Sequence, residues 1–219
     1  RNPDFDTVVK KENALAIIRD ELRRKVQKGV VATGAMSDPY NPFEERLQLT
    51  RHALELLWAY GFGAAVDTKS DLVVRDRDIL ADIARQMPVL VKFSITAAED
   101  AVAARTEPRA PSSTRRFAAM ARLAGDGLFT GLLLMPVLPG ITDSRENIRE
   151  LLLRAAGSGA RFAYCYPGLT MREGQREYFY AALDREYPGL SERYRRRYGS
   201  RYRCPVPGAR ALWEFYREE

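Results

Sequence analysis

Val30-Val31-Ala32-Thr33-Gly34-Ala35-Met36-Ser37-Asp38-Pro39-Tyr40-Asn41-Pro42-Phe43-Glu44 is the stretch whose reading decides the fold. An apolar run gives way to a loop broken by Gly34, Pro39 and Pro42, and an amphipathic helix starts near Glu45. Between the breakers the loop carries a hydroxyl, a carboxylate, a phenol and an amide. A strand that passes into a helix through such a loop belongs to an α/β fold, in which ligands gather at the carboxyl end of the sheet.

The same alternation extends on both sides. Leu15, Ile17, Ile18, Leu22 and Val26 recur at helical spacing and predict a helix over 10–28, followed by a strand near 30–34. A helix near 45–60 ends at Gly61, and a strand over about 63–68 leads to a helix near 76–86. Val89-Leu90-Val91-Lys92-Phe93-Ser94-Ile95 is the clearest strand. Helices are expected near 97–104 and 113–125, a strand from Phe129 to Val137, and a helix near 144–156 capped by Asp143 or Ser144. Residues 160–166 are the last strand candidate. Five strand–helix units imply an α/β protein with a parallel sheet, either open or curled into a barrel, and periodicity does not separate the two. Polar residues fall just after the strands, at Ser37, Asp38, Lys69, Ser94 and Asp143. In a barrel those points converge on one rim.

Beyond residue 170 tyrosines interleave with arginines, which reads as a helical extension. The expected organisation is therefore residues 1–170 as the strand–helix unit and 171–219 as helices packed on it. The chain of 219 residues is 46% hydrophobic and 29% charged, which suits a globular protein with a sizeable core. It has no run of about 18 apolar residues, so no transmembrane helix or membrane partner is expected. The opening Arg-Asn-Pro-Asp-Phe-Asp has no apolar signal region, and a cytoplasmic protein is expected. The start is abrupt for a natural one, and a chain truncated at its amino end is expected. Two cysteines, Cys165 and Cys204, and one histidine, His52, cannot build a self-contained zinc or iron–sulfur site. They also argue against Ser-His-Asp and Cys-His chemistry, because His52 would be the sole base. The net charge of +6 and the pI near 9.4 permit an anionic partner without requiring one.

Together these residues resemble the radical S-adenosylmethionine (SAM) superfamily, in the branch related to spore photoproduct lyase. Thr33-Gly34-Ala35-Met36-Ser37-Asp38-Pro39-Tyr40 is similar to that branch's loop after an early barrel strand. Thr68-Lys69-Ser70, Phe93-Ser94-Ile95-Thr96, Glu107-Pro108-Arg109-Ala110-Pro111 and Met135-Pro136-Val137-Leu138-Pro139-Gly140 follow in the same order. Gln175-Arg176-Glu177-Tyr178-Phe179-Tyr180 resembles the C-terminal extension of an uncharacterised bacterial subgroup. The resemblance implies a partial (β/α) TIM-like barrel that holds SAM and a 4Fe-4S cluster, and an enzyme that cleaves SAM reductively to start radical chemistry. It implies that Lys69 and Ser94 hold the carboxylate end of SAM, that Ser37 and Asp38 lie near its amino group, and that Glu107 and Arg109 make polar contacts to it. The three-cysteine cluster motif of the family is absent and is expected upstream of Arg1, so the fragment alone should not turn over. Ala35 stands where spore photoproduct lyase has its hydrogen-donating cysteine, which argues against thymine-dimer chemistry and against DNA as substrate.

The residue chemistry agrees with a SAM site. The ligand presents a zwitterion, a sulfonium and an adenosine, and Lys69, Asp38, Ser37 and Ser94 supply a cation, an acceptor and small hydroxyls from successive strand ends. Lys69 as a solvated strand-end lysine, Asp38 as a turn former before Pro39, and Ser94 as a satisfied hydroxyl are the simpler readings. Cys165, at a strand end, could approach a substrate or be a buried structural thiol, and Cys204 could be an auxiliary ligand. Residues 193–203, Arg-Tyr-Arg-Arg-Arg-Tyr-Gly-Ser-Arg-Tyr-Arg, offer a rival function, a non-catalytic nucleic-acid-binding protein whose arginines meet phosphates and whose tyrosines stack on bases. A solvated helix face with tyrosines packed inward is preferred, because Glu186 and Glu192 dilute the charge. Substrate and oligomeric state are not legible.

Overall fold

The computed structural model describes residues 11–35 and 37–219. Arg1–Asp6 and the sequence expected before them lie outside the described residues. Helix α1 (Ala14–Arg24) leads to β1 (Val30–Thr33), then to the short α2 (Glu44–Leu47) and to α3 (Leu49–Ala59). Next come β2 (Gly63–Thr68), a 3-10 segment (Asp71–Asp76), α4 (Arg77–Ala84) and β3 (Val89–Ser94). The chain continues through α5 (Asp100–Thr106), α6 (Ser113–Gly125), β4 (Phe129–Leu134), α7 (Arg145–Gly157) and β5 (Phe162–Cys165). The last segment holds β6 (Gly168–Thr170), α8 (Gln175–Glu186), α9 (Leu190–Tyr198), β7 (Arg203–Pro205) and α10 (Ala209–Glu218).

Strands β1 to β5 are all parallel and pair in chain order, with Val66 opposite Val91 and Ser94 opposite Leu133. Sequential order without a reversal is the progression of a barrel sheet rather than of a doubly wound one. Among the described residues β1 and β5 do not pair, so the sheet is open. Alternate side chains divide its faces. Val66, Val91, Phe93, Leu132 and Leu134 are buried in the core that also takes in Leu54, Leu80, Met120 and Ile148 from the helices. The opposite face carries Asp67 and Lys92, neighbours in register, whose carboxylate and ammonium meet at 2.5 Å. Gly131 leaves room there for Phe162, because a Cβ at that position would lie 2.0 Å from the ring.

Four details depart from the sequence reading, each for a local reason. The first helix stops at Arg24, leaving Val26 exposed. The helix expected over 45–60 is two, because Gln48 takes a left-handed φ of 51° and the Glu44 carboxylate accepts the Thr50 and Arg51 N–H groups that open α3. The helix expected from residue 97 starts at Asp100, because the Ala98 N–H is held by Asn147 Oδ1 at 2.8 Å. The strand expected to run to Val137 ends at Leu134, and Val137 N–H pairs instead with Gly168 O. Of the two proposed caps, it is the Ser144 hydroxyl that accepts the Asn147 N–H.

The last segment is not purely helical. Strands β6 and β7 form an antiparallel pair, too short for periodicity to show in the sequence. A second core gathers Leu138, Leu169, Leu183, Tyr194, Tyr198 and Cys204 around it. Tyr194 donates to Pro139 O at 2.8 Å and Tyr198 to Pro205 O at 2.7 Å. Two of the three tyrosines in 193–203 are therefore packed inward and bonded, while Arg193, Arg195, Arg196 and Arg197 face solvent. No helix among the described residues is long and apolar enough to cross a membrane.

Candidate functional site at the carboxyl end of the sheet

Asp38 closes the loop after β1 onto the end of β2. Its Oδ1 accepts from Tyr40 N–H at 2.9 Å and from the Thr68 hydroxyl at 2.7 Å, and its Oδ2 accepts from Lys69 N–H at 2.7 Å. Charge-assisted bonds of this kind are stronger than neutral ones, so the carboxylate fastens two strand ends together. Gly34 makes the approach feasible. Its φ is 101°, and a Cβ there would lie 2.1 Å from the Asp67 carbonyl oxygen. Below the loop, the Tyr40 hydroxyl donates to the buried Asp76, and Arg75 bridges Asp76 and Glu44. Burial and the Asp76 charge push the Tyr40 phenol's pKa far up, so it remains a donor. The protein itself fixes the shape of the loop.

Lys69, immediately past β2, extends from this bolt to Glu107, with Nζ 2.5 Å from Oε1. Glu107 sits just beyond α5, and its other oxygen is 2.6 Å from Arg116 Nη1. Arg116 is buried within α6 and is held by carbonyls as well, donating to Ser94 O at 2.7 Å and Pro111 O at 2.8 Å. Burial works to raise the Glu107 pKa, but the charges of Lys69 and Arg116 outweigh it, and the carboxyl titrates below its ordinary range. The ends of β2 and β3 and the segment after α5 are thus joined by one chain of charges.

Two clefts meet at the Lys69–Glu107 pair. One, of about 970 Å3, is bounded by Asp38, Tyr40, Lys69, Glu107 and Arg109. The other, of about 680 Å3, is bounded by Lys69, Glu107, Thr96, Tyr164, Tyr202 and Arg203. Of the residues expected from the sequence, Asp38, Lys69, Glu107 and Arg109 share the first cleft. Ser37 instead faces a separate cavity between α1, β1 and α3. Ser94 reaches the charge chain only through its carbonyl oxygen, and its half-buried side chain lines neither cleft. Asp143 accepts the Gly140 N–H within its own turn.

The sequence reading overlooked Arg116. The available signal was its place on the α6 stripe with Ser113, Met120 and Leu123, all buried. A charge on a core-facing stripe demands a partner.

Lys69 and Glu107, opposite charges side by side at the mouth of a roomy cleft, match the two charged ends of an amino-acid zwitterion and so fit that part of SAM. An iron–sulfur cluster finds no such fit. Cys165 lies in the sheet–helix core, where burial pushes its thiol up to about 11, and Cys204 lies in the second core. Among the described residues no group of three His, Cys, Asp or Glu side chains is placed to hold a metal ion.

No family model matches the sequence. The uncharacterized protein Rv2578c of Mycobacterium tuberculosis is 36% identical over 197 residues, which are 89% of this chain and 58% of that protein. The uncharacterized protein MJ0683 of Methanocaldococcus jannaschii is 30% identical over 143 residues, 65% of this chain and 52% of that protein. The chain thus spans little more than half the length of these relatives. Among solved structures, spore photoproduct lyase complexed with dinucleoside spore photoproduct superimposes with a TM-score of 0.63 at 19% identity, covering 93% of this chain and 61% of the other. A spore photoproduct lyase mutant with bound AdoMet and the same dinucleoside gives a TM-score of 0.59 at 21% identity, over 93% and 61%. At such identities the likeness establishes a fold, and the parallel sheet of this chain with its helices shares the fold of spore photoproduct lyase.

Proposed function

We propose that this chain is the SAM-binding part of a radical SAM enzyme. The observation that carries the reading is the gathering of Asp38, Lys69, Glu107 and Arg109 at one cleft, at the carboxyl end of a parallel sheet of this fold. SAM supplies a sulfonium whose reductive cleavage begins radical chemistry. In this reading Lys69 binds the carboxylate of SAM, and Glu107 offers an acceptor to its ammonium. Asp38, its acceptors engaged by Tyr40, Thr68 and Lys69, positions Lys69 rather than binding the ligand directly. Arg109 lines the wall of the same cleft. The aromatic cleft across the Lys69–Glu107 pair, walled in part by Tyr164 and Tyr202, is where a substrate would sit. Ligands for a 4Fe-4S cluster would come from sequence outside the residues described, and no step is derived through it.

The test is anaerobic iron–sulfur reconstitution of the full-length protein, followed by incubation with SAM and a reductant. Iron–sulfur absorbance and release of 5′-deoxyadenosine are expected. A protein that takes up no cluster and leaves SAM intact contradicts the proposal.

A further inference from the structure

Six arginines stand between residues 193 and 203 with no acidic residue among them, and the fold sorts them into different surroundings. Arg195 lies over the Tyr180 ring at 4.4 Å and reaches toward Asp184. Arg203 lines the aromatic cleft beside Tyr202. Arg193, Arg196 and Arg197 instead border a separate cavity of about 520 Å3, walled also by Leu190, Pro139 and Pro207. This cavity shares no residue with the two clefts at the Lys69–Glu107 pair. Tertiary packing makes the grouping. Tyr194 and Tyr198 are buried in the second core and donate to the Pro139 and Pro205 carbonyls, which fixes the rotation of α9 about its axis. Positions 193, 196 and 197 then fall on one helical face. Side chains on a helix lean toward its amino end, so Arg196 and Arg197 reach back over the turn that carries Arg193. Cations in the last turn suit the helix macrodipole, which accounts for arginines at this end of α9. It does not account for three of them around one cavity without a counter-charge. Among the described residues no carboxylate forms an ion pair with any of the three. Asp143, in the adjoining turn, has its Oδ1 engaged by the Gly140 N–H.

We propose that this cavity binds a small phosphomonoester, whose dianionic phosphate is taken by Arg193, Arg196 and Arg197. A guanidinium fork matches phosphate oxygens bidentately, and a tetrahedral dianion presents oxygens to more than one fork at once. A carboxylate, planar and singly charged, would offset less of the repulsion among three cations. The apolar walls at Leu190, Pro139 and Pro207 take the body of the molecule. The arginines are placed for one phosphate and not for a nucleic-acid backbone. A strand of phosphates needs cations along its length, whereas Arg195 is drawn to Tyr180 and Asp184 and Arg203 lies in another cleft. The site stands independently of the SAM reading.

The experiment is calorimetric titration of the full-length protein with ribose 5-phosphate, ribose and inorganic phosphate, at an ionic strength held constant with sodium chloride. The wild type is expected to bind ribose 5-phosphate and not ribose, and inorganic phosphate should compete with the sugar phosphate. Arg193→Gln, Arg196→Gln and Arg197→Gln should each weaken ribose 5-phosphate binding about tenfold or more, the scale of one charge-assisted hydrogen bond. Arg195→Gln, on the same helix but outside the cavity, should leave it unchanged. Circular dichroism melts report folding, and Arg196→Lys, which keeps the charge and loses the fork, should weaken binding severalfold and stands in for any glutamine variant that does not fold. Arginines that serve only the helix end move the melts and not the affinity. Equal weakening by Arg195→Gln marks a diffuse charge effect and overturns the site, as does a wild type that takes up neither phosphate at millimolar concentration. A single-stranded oligonucleotide that binds more tightly than ribose 5-phosphate, and through Arg195 and Arg203 as well, overturns it in favour of a nucleic-acid surface.

Discussion

Glu107 and Arg116 show how one residue's chemistry is decided by its neighbours. Glu107 is visible in the sequence as part of a Glu-Pro-Arg turn, and its importance follows from the two cations that converge on it. The sign of its pH dependence follows directly. Its carboxyl is depressed below its ordinary value of 4.5, so the stability it contributes is complete above that pH and is lost as pH falls through the lower, folded-state value. Replacing it by glutamine leaves Arg116 buried beside a neutral amide, at a cost of about 3 kcal/mol. Urea unfolding of wild type and Glu107→Gln should therefore differ by a constant amount at neutral and mildly acidic pH and converge below about pH 4.5. A difference that grows on acidification contradicts the assignment. Lys69 and Asp38 were legible as polar residues at strand ends, but the division of work between them was not. Asp38 gives its acceptors to Tyr40 and, 30 and 31 positions away, to Thr68 and Lys69, partners that only the fold brings to it.

At the scale of elements, strands declare themselves where apolar residues run together, as in Val89–Ser94, whose alternate burial matches its sequence pattern. What sequence periodicity misses is long-range hydrogen bonding that overrides it. Glu44 splits an otherwise continuous helical pattern by capping α3, and Asn147 delays α5 by holding Ala98 N–H and the Thr96 carbonyl. The β6–β7 pair is fixed by contacts with the second core and has too few residues to be seen beforehand. The loop after β1 depends on Gly34 both for its positive φ and for its contact with β2. Gly34→Ala should destabilise the protein by about 2 kcal/mol or more, because strain and collision with backbone act together. Thermal unfolding measures this, and a loss under about 0.5 kcal/mol, within the range of neutral surface changes, contradicts the geometry described.

For the whole molecule, the sequential parallel order of five strands matters most. It keeps the crossover helices on one face and brings the segments after β1, β2 and β3 to one end, where residues 38, 69 and 107 meet although they are far apart in the chain. Alternation of strand and helix announced that arrangement, and it left undecided whether the sheet closes. The arginine-rich helix α9 packs Tyr194 and Tyr198 into the second core and turns its arginines outward, the arrangement preferred from the sequence. The central claim is that SAM sits with its amino-acid end between Lys69 and Glu107. A crystal structure of the full-length protein grown anaerobically with SAM tests it most directly. The account predicts the carboxylate within about 3 Å of Lys69 Nζ and the ammonium within about 3 Å of a Glu107 oxygen. SAM bound elsewhere, with the Lys69–Glu107 pair still closed, contradicts it.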